Sequence, residues 1–171
     1  MKERPIIFSG PMVRAILEGR KTQTRRVVKD DTMLAWLNCD NVVKPINDHV
    51  AHLGCPYGQP GDRLWVRETF CPDYDPPIYK ADEDQAKIAW KPSIHMPRWA
   101  SRITLEITAV RVERLQDISD ADALAEGCEP FRENDMNAID AYADLWADIN
   151  GPENWEANPW VWVIEFKKVG E

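Results

Sequence analysis

Ser101-Arg102-Ile103-Thr104-Leu105-Glu106-Ile107-Thr108-Ala109-Val110-Arg111-Val112-Glu113-Arg114-Leu115 is the longest strand signal in the chain. Ile103, Leu105, Ile107 and Ala109 alternate with Thr104, Glu106 and Thr108, the period of a strand with one covered face. A second stretch, Pro159 to Val169, sets Trp160, Trp162, Ile164 and Phe166 against Val161, Val163, Glu165 and Lys167. Both of its faces are largely apolar, which predicts a strand inside a sheet rather than at its edge.

Shorter signals surround these two. Asp62 to Phe70 reads as a strand that follows a Pro60-Gly61-Asp62 turn, Ile78 to Ala81 as a short strand, and Pro5 to Phe8 as a first strand closed by Ser9-Gly10. Val27-Val28 looks like the start of another. Pro11, Met12, Ala15 and Ile16 predict a two-turn helix ended by Gly19. Ser119 opens a second helix with Asp122 at the capping-box position, and Gly127 closes it. Tyr142, Leu145, Trp146 and Ile149 recur at helical spacing between residues 138 and 149. Residues 29–61, with Pro45, Pro56 and Pro60, read as an insertion or long loop, and Trp90 to Trp99 as a proline-punctuated loop. Five or six strands with short helices on the connections spell an α+β fold, a small mixed or antiparallel β-barrel.

The chain has 171 residues and a mass of 19.7 kDa, the size of one domain spanning residues 1–171. Its 44% hydrophobic residues and eight tryptophans suffice for a core and exclude wholesale disorder. No apolar run approaches the roughly 20 residues of a spanning helix, and the N-terminus lacks a signal-peptide core, so the expected location is cytoplasmic, away from membranes. Cys39, Cys55, Cys71 and Cys128 are spread singly and read as free thiols. Cys39, His49, His52 and Cys55 supply ligand types that zinc accepts, but their spacing matches no zinc motif, so no metal and no cofactor is expected.

A net charge of −8 disfavours wrapping of duplex DNA. The charge is uneven: residues 113–171 hold 4 basic and 15 acidic side chains, whereas residues 1–29 hold 8 basic and 2 acidic. An anionic partner, a nucleotide or a short RNA strand rather than a long duplex, could therefore meet a local cationic site; the oligomeric state stays open.

That cationic site contains Gly19-x-Lys21-x-x-Thr24-x-Arg26. If the segment is turn-like, a spacing of three brings the Lys21 amine beside the Thr24 hydroxyl; in a strand the two would face opposite ways. A threonine hydroxyl needs a neighbour to take its proton, and a lysine does so only when neutral. Arg20, Arg25 and Arg26 crowd Lys21 and disfavour its charge. The same residues read equally as a solvated basic loop.

The stretch resembles the Gly-x-Lys-x-x-(Thr/Glu)-x-Arg signature of the ASCH superfamily, whose barrel is like that of the PUA RNA-binding domain. The resemblance extends through Gly61-Asp62-x-Leu64, the Ile103 to Thr108 strand, the Ser119 to Gly127 helix and the closing Val163-Ile164-Glu165-Phe166. It leaves residues 29–58 and 71–100 as additions to the minimal domain. Within that superfamily the chain looks like a larger relative of the compact bacterial amidohydrolase that acts on N4-acetylcytidine with a Lys, Thr and Glu triad. The resemblance implies Lys21 and Thr24 as its first two members. Glu126 is taken as the third, ahead of Asp122 and Glu129. A place at the end of its helix would raise the Glu126 pKa, as a proton shuttle requires.

The implied activity is hydrolysis of an acylated cytidine or related nucleoside. Thr24 would attack the acyl carbonyl, or only orient a water that Lys21 activates. Arg26 or backbone N–H groups would meet the oxyanion. Arg20, Arg26, Trp65, Glu68, Tyr79, Arg98 and Trp99 are the candidates for binding the base, which wants an aromatic or guanidinium plane and a few polar groups. His95 reads as a hydrogen-bonded loop residue. The barrel also fits two other functions, a modified-base-reading or RNA-binding module without catalysis and a ribonuclease.

Overall fold

The computed structural model describes residues 1–39, 54–82, 87–129 and 137–170. In chain order its elements are β1 (Glu3–Ile7), α1 (Gly10–Leu17), β2 (Gln23–Val27), α2 (Asp31–Leu37), β3 (Arg63–Arg67), β4 (Phe70–Cys71), β5 (Ile78–Tyr79), β6 (Thr104–Arg114), α3 (Asp120–Ala125), α4 (Ala138–Asn150), α5 (Pro152–Glu156) and β7 (Trp160–Lys168). The fold is α+β.

One five-stranded sheet runs in the order β1-β3-β6-β7-β2, with β1 and β3 parallel and the other pairs antiparallel. As its two apolar faces predict, β7 lies inside the sheet, between β6 and β2. Trp160, Trp162, Ile164 and Phe166 enter one core cluster, with Ile6, Leu64, Leu105 and Ile107. Val161 and Val163 point the other way, into a second cluster with Ala123 of α3 and with Tyr142 and Trp146 of α4. The period of two on β7 therefore divides the molecule into two layers.

Four expectations are corrected. The sheet does not close into a barrel by hydrogen bonds: among the described strands, β1 and β2 are its two edges, and the Arg26 guanidinium reaches across from β2 to the Ile7 carbonyl, 2.9 Å away. The strand expected from Val27 instead ends there; β2 covers Gln23–Val27, because Thr24 to Val27 pair with Ile164 to Val161. The first part of the expected loop at 29–61 is helix α2, which starts on the Asp30 carboxylate (accepting from Met33 N–H, 2.7 Å) and buries Met33 and Leu37 in the main core. In β6, a bulge between Ile107 and Ala109 shifts the pleat by one residue. Val110 and Val112 then take the buried face in place of Ala109.

Residues between β3 and β6 form a separate small layer. β4 and β5 pair, and Phe70, Met96 and Ala100 share a cluster flanked by Tyr79. No described helix is long and apolar enough to cross a membrane.

Candidate active site

The segment joining α1 to β2 sends Lys21 inward. Gly19, at φ +75°, turns the chain out of α1. The Arg20 and Lys21 amides then donate to the Ala15 carbonyl at 2.8 and 3.0 Å. Thr22 next bridges two elements: its N–H donates to Ala125 O at the end of α3 (2.8 Å), and its carbonyl accepts from Phe166 N–H of β7 (2.8 Å). So Lys21 lies on a turn before the strand, and Thr24 within it.

Glu126 arrives from the other side. α3 starts with a complete capping box between Ser119 and Asp122, and Glu126 is its C-terminal cap. Gly127 follows at φ +88°, where a Cβ would lie 3.0 Å from Ala15 Cβ and 3.3 Å from Lys21 Cβ. Glycine is therefore required twice over, for its backbone and for the close approach that brings Glu126 to Lys21.

Lys21 Nζ donates to Glu126 Oε2 at 2.6 Å and to the Glu126 backbone carbonyl at 2.9 Å. Both side chains are shut off from solvent. Arg25 Nη1 donates to the other carboxylate oxygen, Oε1, at 3.1 Å. The Arg25 guanidinium is itself buried and also donates to Glu113 Oε1, at 2.6 and 3.1 Å, with Asp122 Oδ2 at 3.4 Å. Glu126 is thus not a carboxylate at a bare helix end, as the sequence suggested. α3 has only six residues, and the neighbours that matter are two cations.

Burial holds the Lys21 amine below its usual value. Glu126 opposes that shift, and the Arg26 charge assists it as a smaller cause. Desolvation, more than the crowd of arginines, is therefore what brings the neutral amine within reach. For Arg25 burial works against the charge, but Glu126 and Glu113 outweigh it and push the pKa up, so it stays a cation. Burial raises the Cys128 thiol to about 11. A thiol at that value is not a thiolate nucleophile near neutral pH.

Thr24 and Glu126 line a narrow cavity of about 70 Å³. It runs along the free edge of β2 beneath α4, which contributes Tyr142, Trp146 and Ile149. No Lys21–Thr24 hydrogen bond forms; Lys21 turns to Glu126 instead. The cavity adjoins an outer cleft of about 630 Å³, and Met12, Arg26 and Ile149 line both.

Of the residues expected to bind a base, Arg26 lines this cavity and the others do not. Arg20 is on the surface, paired with Glu18 and Glu129. Trp65 is on β3 with the Arg67 guanidinium 5.5 Å from its ring. Glu68 is buried in a bidentate pair with Arg102, at 2.9 and 3.0 Å. Tyr79 donates its hydroxyl to Ala100 O (2.9 Å) under the same Arg102. Arg98 pairs with Glu3 on the surface, and Trp99 is 68% exposed. Glu68 and Tyr79 are thereby tied, through Arg102 and Ala100, to the small layer between β3 and β6. His49 and His52 lie outside the described residues; among those described, no group of three or more His, Cys, Asp or Glu is placed to hold a metal.

Arg25, Tyr142 and Trp146 were missed as site residues. In the sequence Arg25 reads as one of the arginines that crowd Lys21, and Tyr142 and Trp146 as apolar positions at helical spacing. A basic residue midway along a strand, opposite the apolar Trp162, Val163 and Ile164, was the available signal, since such a side chain must find buried carboxylates.

No family model and no curated protein matches the chain. Two solved structures are similar to it. One is an ASCH domain from Lactobacillus crispatus (14% identity, 98% of this chain and 79% of that one, TM-score 0.48). The other is a protein of Enterococcus faecalis described under the family model DUF984 (12% identity, 99% and 81% coverage, TM-score 0.49).

Proposed function

We propose that this chain is an amidohydrolase of ASCH type, removing an acyl group from the exocyclic nitrogen of a modified nucleoside such as N4-acetylcytidine. The observation that carries the reading is the solvent-free Lys21–Glu126 pair at 2.6 Å, directly behind a cavity lined by Thr24. A buried amine lowered in pKa beside a carboxylate has the make-up of a proton-transfer device. The order of sequence motifs, from Gly19-x-Lys21-x-x-Thr24-x-Arg26 to the closing strand, supports the same reading.

The reaction runs as acyl transfer. The Lys21–Glu126 pair accepts the Thr24 hydroxyl proton as Oγ1 bonds to the acyl carbon. The C–N bond breaks, and the departing amine of the base takes that proton. Water then attacks the Thr24 ester, gives its proton to the pair, and Thr24 recovers it as the carboxylic acid leaves. The inner cavity has room for a small acyl group, and the outer cleft is in the size range of small-molecule sites and suits the nucleoside. Backbone N–H groups of the loop, or Arg26 on the wall between the two cavities, would meet the oxyanion.

Absorbance of N4-acetylcytidine during incubation with wild type and with Thr24→Ala tests the proposal. Wild type should convert the acetylated to the free base, and Thr24→Ala should be slower by about 10²-fold or more. No turnover by wild type at any pH would remove it.

A further inference from the structure

We infer that the outer cleft holds a phosphate subsite beside the place of the nucleoside, so that the preferred substrate is a phosphorylated nucleotide rather than the free nucleoside. The inference builds on the hydrolase reading for the placement of the base, but its own evidence is the charge distribution. Arg26 and Arg67 both line the cleft, with Phe8, Ser9, Tyr57 and Thr69, and among the described residues no carboxylate lines it. The chain carries eight more acidic than basic groups, and other arginines nearby are neutralised: Arg25 by Glu113 and Glu126, Arg102 by Glu68 and Asp82.

Arg26 and Arg67 are different. Among the described residues neither forms an ion pair. Arg26 donates to the carbonyls of Ile7 (2.9 Å) and Arg25 (3.4 Å). Arg67 Nη2 donates to the Ile94 carbonyl, and its Nε is buried with no hydrogen-bond partner. Carbonyls orient a guanidinium without cancelling its charge, and Phe8 and Trp65 beneath the two groups do the same. Two oriented, uncompensated guanidiniums facing one cleft are an anion receptor, and the fork of each matches phosphate oxygens. Tyr57 in the same cleft offers a plane on which a base can stack. The requirement for a phosphate also explains how an acidic protein captures an anionic substrate: repulsion elsewhere on its surface leaves this cleft as the favourable approach.

Calorimetric titration with cytidine, cytidine 5′-monophosphate and a cytidine dinucleotide, at low salt, tests this on wild type, Arg67→Gln and Arg67→Lys. Wild type should bind the monophosphate about tenfold or more tighter than cytidine. Arg67→Gln should remove most of that gain, bringing the two affinities close together, while Arg67→Lys, which keeps the charge, retains part of it. A dinucleotide bound as tightly as the monophosphate would place the phosphate in a strand; weaker binding would place it on a free nucleotide. Equal affinity for cytidine and its monophosphate, or a gain that survives Arg67→Gln, overturns the subsite. Because no probe carries an acyl group, this result is independent of turnover: hydrolysis without a phosphate gain removes only the subsite, and a phosphate gain without hydrolysis removes only the hydrolase reading.

Discussion

Arg25 grips the Glu126 carboxylate oxygen that Lys21 leaves free, 3.1 Å from Oε1 while Lys21 holds Oε2 at 2.6 Å. Lys21 comes from the turn before β2, and Arg25 from β2 itself. Thr24, between them in sequence, faces the layer of Ile164, and Arg25 faces that of Val163. Glu126 is therefore fixed at both oxygens, and its orientation toward the cavity is set by the strand as much as by its own helix.

Removing Arg25 should cost more than a surface charge would. Arg25→Met leaves Glu113, Asp122 and Glu126 close together without their shared cation. A loss of about 3–5 kcal/mol is expected at neutral pH, as for other broken buried pairs. The deficit relative to wild type should shrink as pH falls and the carboxylates take up protons. Chemical denaturation of both proteins across acidic and neutral pH measures it; a deficit independent of pH would contradict the arrangement.

The sign of the Lys21 shift fixes a pH profile. Its folded-state pKa lies below the ordinary 10.5, so the native protein releases this proton more easily than the unfolded chain. Stability from this group therefore rises with pH between the two values. The neutral amine also becomes available below 10.5, and kcat/KM should climb along a limb whose midpoint lies beneath that value. Since Glu126 is the group that opposes the shift, Glu126→Gln should move the Lys21 titration lower still. An NMR titration of the Lys21 side chain reads this directly, and a move upward would refute the assignment of causes.

Gly127 is predicted to be intolerant of any side chain. Gly127→Ala forces a left-handed backbone on alanine, roughly 1–2 kcal/mol, and drives a methyl against Ala15 and Lys21. Thermal unfolding should show the loss, and activity should fall with it because Lys21 is displaced. Gly61→Ala, at the same φ of +88° and with no described atom within 4 Å, carries the backbone penalty alone and provides the control.

Cys128 lies one residue beyond Gly127, which makes it the obvious rival nucleophile. With its thiol raised to about 11, it should be inert to thiol reagents at neutral pH in the folded protein, and Cys128→Ser should keep its activity. Rapid modification accompanied by inactivation would point to thiol chemistry instead.

The sequence made the two long strands legible because β7 is apolar on both faces and β6 alternates. It also exposed the helix around Ser119, since a capping box is a local device. The meeting of Lys21 with Glu126 could be expected only through the family resemblance, since 105 residues separate them and no periodicity links them. The β6 bulge was invisible because one inserted residue leaves composition unchanged. Trp65, Glu68, Tyr79, Arg98 and Trp99 looked like base-binding residues by type. Several are engaged elsewhere, notably Glu68 with the Arg102 that also holds Asp82, and Arg98 with Glu3, and residue type alone carries no information about that.

The most direct test of the central claim, that Lys21 and Glu126 act as one proton-transfer unit, is a double-variant cycle on kcat/KM for N4-acetylcytidine. Lys21→Met, Glu126→Gln and the combined variant are compared with wild type, each checked for folding by circular dichroism. The account predicts that either single change costs about 10²–10⁴-fold and that the double costs hardly more. Losses that multiply, or single variants as active as wild type, would contradict it.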